Sequence, residues 1–252
     1  MTKITIVGCN GKMGGYVADA VSERDDCQAL FGVDAFGESK YDFPVYKNFS
    51  EAQEKPDVIV DFSHPSTLSD MLAYAKANHI PCVICTTGYS AEQVEAIHDA
   101  SKEIAVFYSG NMSLGINLLI ELSKMAAKVL GGSFDIEIVE KHHNLKVDAP
   151  SGTALMLADG ISETLAQEPQ YVYDRHAVRK KRAKNEIGIH SVRGGTIVGE
   201  HEVIFAGHDE VVSLKHQAQS KAVFAAGAVN AAVFLVGQSA GMYQMGDLLS
   251  GN

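Results

Sequence analysis

The stretch ITIVGCNGKMGGYV, residues 4–17, decides the fold class. Its apolar run ends at Gly8, and the spacing G-x-x-G-x-x-G through Gly11 and Gly14 then opens a helical pattern over 11–23. Glycines here permit a tight turn and a close approach of backbone to phosphate, and a helix N-terminus favours negative charge. The stretch predicts a strand, a phosphate-binding turn and a helix.

The same alternation of strand and helix continues through residue 109. Apolar runs stand at 29–34, 57–63, 81–88 and 104–109, and helical stretches at 67–78 and 91–101. Strands that alternate with helices predict βαβ units and a parallel sheet. The runs are apolar on both faces, so we expect helices on both sides of the sheet, as in a Rossmann-like α/β fold.

The pattern changes after residue 112. It predicts helices at 113–131 and 150–166, a strand with one polar face at 134–143, and further strands at 186–193, 195–207 and 209–218. These elements indicate an α+β domain with a mixed or antiparallel sheet. Gly194-Gly195 and Gly207-His208 are candidate turns between the strands.

An alanine-rich segment over 221–238 reads as a buried helix that packs back on the first domain. The predicted domains are therefore a discontinuous dinucleotide-binding domain, 1–111 with 219–252, and a central domain, 112–218.

Composition excludes several functional classes. The chain has 252 residues and a net charge of −10, which argues against a nucleic-acid partner. No apolar stretch reaches membrane-spanning length and the sequence opens without a secretory pattern, so we expect a cytoplasmic protein. Six lysines and arginines cluster in 174–184, either as a solvated loop or to attract an anion. Cys82 and Cys85 lie in a strand pattern that points them to opposite faces, which argues against a redox pair or zinc site.

Asp34 ends the second predicted strand, 20 residues after Gly14. An acid at this position bonds an adenosine ribose hydroxyl, so the pattern predicts dinucleotide binding. The alternative is a glycine-rich turn and a strand-end aspartate without a ligand. Asp34 favours NADH, whereas Lys12 can attract the ribose phosphate of NADPH, so either or both cofactors fit.

Two further strand ends are candidates for nicotinamide contacts, because ligands bind at the carboxyl ends of strands in such sheets. They are Thr86-Thr87-Gly88 and Ser109-Gly110-Asn111-Met112. Taken alone, both are ordinary loop ends.

The segment EKHHNLKVDAPSGTA, residues 140–154, concentrates positive potential in Lys141, His142, His143 and Lys146. The backbone amides of Ser151, Gly152 and Thr153 would point from a helix start toward an anion. Histidine suits proton donation near neutral pH. The alternatives are exposed strand-end histidines, or half of a metal site whose other ligands we do not find, so no metal is predicted.

The same segment resembles the signature of the 4-hydroxy-tetrahydrodipicolinate reductase family of the bacterial diaminopimelate and lysine pathway. Similar blocks run along nearly the whole chain: GCNGKMG at 8–14, TTG at 86–88, NMSLGIN at 111–117, IGIHSVRGGTIVGEH at 187–201 and VFAAGAVNAA at 223–232. Two departures are the basic loop, which lacks an expected glycine after its first arginine, and Lys221, where arginine is frequent.

The resemblance implies a Rossmann-like domain completed by the C-terminal helix, and a mixed sheet that builds a homotetramer. It implies that a hydroxylated cyclic dicarboxylate loses water and is then reduced with NADH or NADPH and a proton. His142 matches the proton donor, and Lys146 a supporting cation and possible donor. His143, Gly152 and Thr153 match substrate contacts, and Ser151 adjoins them. The matching cofactor contacts are Gly8, Cys9, Asn10, Gly11, Lys12, Met13, Asp34, Thr86, Thr87, Gly88, Ser109, Gly110, Asn111 and Met112.

Two other functions stay open at this point. A dehydrogenase of the same plan that acts on aspartate or homoserine would lack the site for a doubly charged ring. A dinucleotide sensor without catalysis would bind the cofactor through Gly8 to Gly14 and turn nothing over.

Overall fold

A computed structural model describes residues 1–36 and 40–250. The chain divides into two compact units, one formed by 1–114 with 221–252 and the other by 115–220. The domain limits expected from the sequence stay predictions, and each lies two or three residues from the limit of a unit.

The first unit contains a seven-stranded sheet in which all neighbouring strands are parallel. Its strands are β1 (Thr2–Val7), β2 (Cys27–Val33), β3 (Val45–Tyr46), β4 (Val58–Asp61), β5 (Cys82–Ile84), β6 (Ala105–Tyr108) and β12 (Gly241–Tyr243). Their order in the sheet is β12-β6-β5-β4-β1-β2-β3. The chain therefore reverses direction across the sheet beside β1, where doubly wound sheets bind ligands.

Helices cover both faces of this sheet, as the apolar strands predict. They are α1 (Lys12–Ser22), α2 (Leu68–Asn78), α3 (Ala91–Ala100), α6 (Ala222–Leu235) and α7 (Met245–Ser250). One core packs α1 and α6 on the sheet, and a second core packs α2 and α3 on the other face. Helix α6, expected from the sequence over 221–238, thus packs back on the first unit. Cys82 lies in one core and Cys85 in the other, which confirms that the two thiols diverge.

The second unit contains a five-stranded mixed sheet of order β11-β10-β7-β9-β8. Its strands are β7 (Asp135–His142), β8 (Gln170–Val172), β9 (Glu186–Arg193), β10 (Gly199–Ala206) and β11 (Val211–Ala218), and its helices are α4 (Leu114–Leu130) and α5 (Gly152–Ser162). β10 runs antiparallel to β7 and β11, whereas β7, β8 and β9 are parallel. The helices pack on one face of this sheet, where Ile116 of α4 and Leu157 of α5 share a core with Ile138 of β7.

The strands β3, β8 and β12 and the helix α7 were not predicted. Each has six residues or fewer, too few to display a period. The turn at Gly207-His208 closes the β10–β11 hairpin, with Gly207 N donating to Glu210 O at 2.9 Å. Gly194-Gly195 does not form a hairpin turn, because β9 and β10 are not neighbours: β7 lies between them. The loop that contains these glycines crosses the end of β7 to connect β9 with β10.

The basic segment 174–184 is tied to the second sheet by ion pairs. Arg175 contacts Glu186 at 2.8 Å, Lys180 contacts the same carboxylate at 3.4 Å, and Arg182 contacts Asp135 at 2.8 Å. These three cations are therefore neutralised within the chain. Among the described residues, no helix is both long and apolar enough to cross a bilayer.

Candidate active site

The glycine turn after β1 is built so tightly that two of its glycines have no room for a side chain. Gly8 has φ of +76°, and a Cβ on it would lie 2.7 Å from the carbonyl oxygen of Phe62. A Cβ on Gly14 would lie 2.1 Å from the carbonyl oxygen of Gly8. The turn, the start of α1 and the end of β4 can approach this closely only because both residues are glycine.

The N-terminus of α1 has no side-chain cap. Its N-cap residue is Gly11, which makes no side-chain capping bond, whereas Ser90 caps α3 and Ser151 caps α5. The positive end of the α1 dipole therefore meets no side-chain acceptor at the N-cap, as a pyrophosphate-binding helix requires. Lys12 is exposed at the first position of this helix.

Asp34 follows β2 and is fixed beside the glycine turn. Its Oδ2 accepts a hydrogen bond from the Asn10 amide at 3.0 Å, and its Oδ1 accepts one from the Phe36 amide at 3.1 Å. The carboxylate is thus held at the strand end where a ribose acceptor is expected.

The remaining predicted cofactor residues follow two neighbouring strands, Thr86 to Gly88 after β5 and Ser109 to Met112 after β6. All predicted cofactor residues therefore lie at the carboxyl edge of the first sheet. Cys9 and Met112 differ from the others, since their side chains are 0% and 3% exposed and belong to the core. Burial raises the pKa of the Cys9 thiol to about 11. These two residues can meet a nucleotide only through their backbone.

A buried carboxylate at the same edge was missed in the sequence. Asp61 ends β4, is 0% exposed, and accepts hydrogen bonds from the Ser63 amide and the Tyr89 hydroxyl, each at 3.1 Å. The Ser63 amide also donates to the Thr86 hydroxyl at 2.8 Å. Burial raises the pKa of Asp61, against the hydrogen bonds that lower it. Asp61 thereby holds the loops after β4 and β5 together. In the sequence, the only signal for this role was its position at the end of a predicted strand.

His142, the last residue of β7, is buried beside a carboxylate. Its Nδ1 lies 2.6 Å from Oε2 of Glu140, which is two residues earlier on the same strand and therefore on the same face. A Cβ on Gly199 of β10 would lie 3.1 Å from His142 Nε2, so the glycine keeps that nitrogen clear. Strand periodicity was the signal that could have identified Glu140.

The Glu140 carboxylate accepts three further hydrogen bonds. Arg193 NH1 and NH2 donate to its two oxygens, each at 2.8 Å, and the Ser151 amide donates to Oε1 at 3.1 Å. Burial raises the pKa of Glu140, but the hydrogen bonds from Arg193 and its other partners outweigh burial and bring the pKa to about 2. Glu140 is therefore ionised at neutral pH.

Ser151 differs from its expected role. Its amide, expected to face a bound anion, donates to Glu140 instead. Its hydroxyl accepts from the Ala154 amide at 3.2 Å, which makes it the N-cap of α5, and shares a hydrogen bond of 3.0 Å with His201 Nε2. Both polar groups of Ser151 are thus engaged within the protein, and the side chain is buried.

Lys146 and His143 lie in the turn between β7 and α5. The Lys146 amide donates to the His143 carbonyl at 3.2 Å, and the Lys146 ammonium lies 2.8 Å from Oδ1 of Asp148. Asp148 is largely exposed, and exposed ion pairs contribute only ~0–1 kcal/mol, so exchanging this partner for a substrate carboxylate costs little. Gly152 and Thr153 form the first turn of α5.

Two buried histidines face each other across β7 and β10. The rings of His142 and His201 have centroids 5.2 Å apart. Burial lowers the pKa of His142, with Glu140 opposing and Lys146 and Arg193 adding to the effect. Burial also lowers the pKa of His201, to about 3. Both imidazoles are therefore predominantly neutral near pH 7 in the free protein.

The predicted site residues form two groups, one in each unit: the cofactor set lies on the first sheet, and His142, His143, Lys146, Ser151, Gly152 and Thr153 lie on the second. Within the second unit, the structure adds Glu140, Arg193 and His201, which sequence reasoning did not select. Among residues 1–36 and 40–250, no group of three or more potential ligands is arranged to hold a metal ion.

Comparisons with known proteins find relatives along nearly the whole chain. The family model "Dihydrodipicolinate reductase, N-terminus" matches residues 2–112, and "Dihydrodipicolinate reductase, C-terminus" matches residues 115–249. The chain is 53% identical to the 4-hydroxy-tetrahydrodipicolinate reductase of Caldanaerobacter subterraneus subsp. tengcongensis over 99% of its own length and 98% of that protein. It is 46% identical to that of Clostridium novyi over the same shares.

A solved structure gives the same result for the fold. Dipicolinate-bound dihydrodipicolinate reductase from Paenisporosarcina sp. TG-14 superposes with a TM-score of 0.80 at 25% identity, covering 97% of each chain. Matches to both family models leave almost none of the sequence outside them. The chain belongs to the dihydrodipicolinate reductase family.

Proposed function

We propose that this oxidoreductase converts 4-hydroxy-tetrahydrodipicolinate to tetrahydrodipicolinate in diaminopimelate and lysine biosynthesis. The substrate loses water, and the resulting ring accepts a hydride and a proton. The observation that carries the proposal is the full-length match to relatives of this name, at 53% and 46% identity. The buried imidazole of His142, on the strand that precedes the loop carrying Lys146, supports it as well.

The first unit binds the reduced nicotinamide nucleotide. The glycine turn and the uncapped start of α1 fit a pyrophosphate, and the Asp34 carboxylate fits a ribose. Thr86 to Gly88 and Ser109 to Met112 contact the nicotinamide end. When bound, this cofactor supplies the hydride.

Asp34 repels the ribose phosphate of NADPH and so favours NADH, whereas the exposed Lys12 attracts that phosphate and so admits NADPH. We therefore expect both cofactors to serve as hydride donors. Initial rates with the two cofactors at matched concentrations test this. A reaction confined to one of them would contradict dual use.

The second unit holds the substrate's two carboxylates. Lys146 exchanges Asp148 for one of them, and His143 with the first-turn amides of Gly152 and Thr153 takes up further negative charge. Ser151 does not contact the substrate with its amide or hydroxyl, because Glu140, Ala154 and His201 engage both groups; it supports the binding residues by capping α5. The Paenisporosarcina relative binds dipicolinate, a ring with two carboxylates of this kind.

His142 supplies the proton through Nε2. Its Nδ1 is engaged by the Glu140 carboxylate, so Nε2 is the nitrogen available for exchange. The imidazole is largely neutral in the free protein, and a bound dianion raises its pKa because opposite charge favours the protonated form. Substrate binding therefore favours the protonated form of the donor.

The substitution His142→Gln tests the role of this residue. It is expected to lower kcat by ~10²–10⁴-fold, the usual scale for loss of a general acid, with little change in cofactor affinity. Loss of nicotinamide absorbance at saturating substrate measures kcat, and nucleotide titration measures affinity. A variant that keeps the wild-type kcat would remove His142 from the mechanism.

An inhibition experiment separates the proposal from a dehydrogenase that acts on aspartate or homoserine. Pyridine-2,6-dicarboxylate is expected to compete with the substrate, because it presents the same pair of carboxylates. Weak, non-competitive inhibition would favour the other dehydrogenase. Cofactor binding without turnover of any imine would favour the sensor.

We also propose that the chain acts in the cytoplasm as a homotetramer built through the open face of the second sheet. Val139 and Ile204 on that face are only half-buried in a single chain. Sedimentation of the purified protein tests the assembly, and a monomer would refute it.

A further inference from the structure

The Glu140 carboxylate is buried at the junction of three elements that carry the second-unit site. Its side chain is 0% exposed, and its two oxygens lie within hydrogen-bond distance of Arg193, His142 and the Ser151 amide. These partners belong to β9, β7 and the start of α5. A buried charge is tolerated only when paired and hydrogen-bonded, so the arrangement is specific to a carboxylate at this point.

We propose that Glu140 and Arg193 are positioning residues for the reduction. Glu140 holds the proton on His142 Nδ1, so that Nε2 is the nitrogen that exchanges the catalytic proton, and it ties this ring to the start of the substrate-binding helix. Arg193 orients the carboxylate and the loop that carries Lys146. The inference rests on the proposed function and names two residues that act through others.

The tautomer of His142 follows from the donors around Glu140. An ionised carboxylate only accepts hydrogen bonds, and Arg193 and the Ser151 amide can only donate to it. With the carboxylate ionised, the short contact at 2.6 Å requires His142 Nδ1 to carry a proton in both the neutral and the charged ring. Nε2 then gains and loses the second proton.

Arg193 links this carboxylate to the loop before α5. Its NH1 and NH2 bind the two oxygens of Glu140 in a bidentate pair, which fixes the plane of the carboxylate. The same NH2 donates to the Asp148 carbonyl at 2.6 Å, two residues from Lys146. One guanidinium therefore sets both the orientation of the histidine's partner and the position of the lysine's loop.

The charges around His142 determine how its acidity responds. Glu140 on β7 favours the charged ring, whereas Arg193 on β9 and Lys146 in the loop disfavour it. His201 on β10 faces the same ring and is neutral near pH 7. Loss of the Glu140 charge removes a contribution that favours the protonated ring and leaves those of Lys146 and Arg193, so the pKa of His142 falls further, with or without substrate.

The direction of the pH effect is then fixed. A protonated general acid is lost as pH rises through its pKa, so the rate falls on the alkaline side. Glu140→Gln lowers that pKa, and the alkaline fall of kcat moves to lower pH. We call this fall of kcat the alkaline limb of the pH profile. Substitution of a residue that only supports folding would reduce the rate without moving the alkaline limb.

The experiment compares Glu140→Gln with a matched control, Glu137→Gln. Glu137 lies on the same strand but the opposite face, and its carboxylate also contacts a histidine, His190 at 2.7 Å, and two arginines. We expect Glu140→Gln to lower kcat by ~10–100-fold, the scale for an orienting partner, and to shift the alkaline limb. Glu137→Gln should retain the wild-type limb.

Nitrogen-15 NMR of the His142 ring gives a readout that needs no substrate. Wild-type protein is expected to show Nδ1–H. Glu140→Gln is expected to show a mixture or Nε2–H, because glutamine can present its NH2 donor to Nδ1, whereas the carboxylate could only accept. If Glu140→Gln does not fold, Arg193→Lys serves instead, since it keeps the charge but loses the bidentate geometry. Glu140→Asp should restore part of the pH limb.

The outcomes separate the two ideas. Wild-type protein that reduces no cyclic imine refutes the proposed function, whatever the NMR shows. If the wild-type protein is active, the proposed function stands. The inference about Glu140 is then refuted if Glu140→Gln keeps the Nδ1–H tautomer and its kcat falls at the same alkaline pH as that of Glu137→Gln.

Discussion

The side chain of Ser151 offers a sharp test of how the second-unit site is held together. Ser151→Ala removes the hydroxyl but leaves the backbone amide that donates to Glu140 at 3.1 Å. Two interactions are lost: the N-cap bond from the Ala154 amide and the hydrogen bond shared with His201 Nε2. Both lie in a buried site, since Ser151 is 2% and His201 4% exposed.

The magnitude follows from these two losses. Replacing a serine N-cap by alanine costs ~1 kcal/mol of unfolding free energy. Leaving a buried partner such as His201 without its hydrogen bond costs ~1–3 kcal/mol more, because water cannot replace the hydroxyl. The expected destabilisation is therefore ~2–4 kcal/mol. Ser90 provides the reference, because it caps α3 in the same way but is exposed.

Urea unfolding followed by circular dichroism measures both variants at neutral pH. Ser90→Ala should cost ~1 kcal/mol, and Ser151→Ala clearly more. A double-mutant cycle with His201→Phe should give a coupling of ~1 kcal/mol between Ser151 and His201. The reasoning is refuted if Ser151→Ala costs no more than Ser90→Ala, or if the cycle shows no coupling.

Two other predictions concern His201 and the glycine turn. The folded pKa of His201, about 3, lies below the ordinary value of 6.5, so its contribution to stability is complete above pH 6.5 and is lost as pH falls toward 3. Within that pH window, protonation of His201 in the unfolded chain should lower the unfolding free energy of the wild-type protein by up to ~1.4 kcal/mol per pH unit. His201→Gln should flatten the plot of urea midpoint against pH, and parallel plots for the two proteins would contradict this prediction. In α1, Gly14→Ala should destabilise the first unit and weaken NADH binding, since its Cβ would lie 2.1 Å from Gly8 O, whereas at Gly15 the nearest atom is 3.7 Å away. Gly15→Ala should therefore gain ~0.5–1 kcal/mol from helix propensity, and equal effects of the two substitutions in urea unfolding and NADH titration would contradict the packing argument.

The sequence by itself determined the class of the fold and the chemistry to look for. The glycines at 8, 11 and 14 and the apolar runs that follow predict a doubly wound parallel sheet, because backbone freedom and hydrophobic period are local properties. His142, Lys146 and the helix start at Ser151 are adjacent in the chain, so their grouping was readable in the same way. The short strands β3, β8 and β12 were not, because two or three residues carry no period.

Only the tertiary structure decided which groups control the site. Arg193 lies 53 residues from Glu140 along the chain, and His201 lies 50 from Ser151. Arg193 meets Glu140 because β9 lies beside β7. His201 on β10 lies opposite Glu140, whose carboxylate also binds the Ser151 amide. The structure likewise pairs the Ser151 amide with Glu140, whereas the sequence predicted that this amide would face a bound anion. Strand order and register bring distant residues within hydrogen-bond distance, and a local sequence pattern contains neither, so the hydrogen bonds that fix the proton of His142 became visible only in the folded chain.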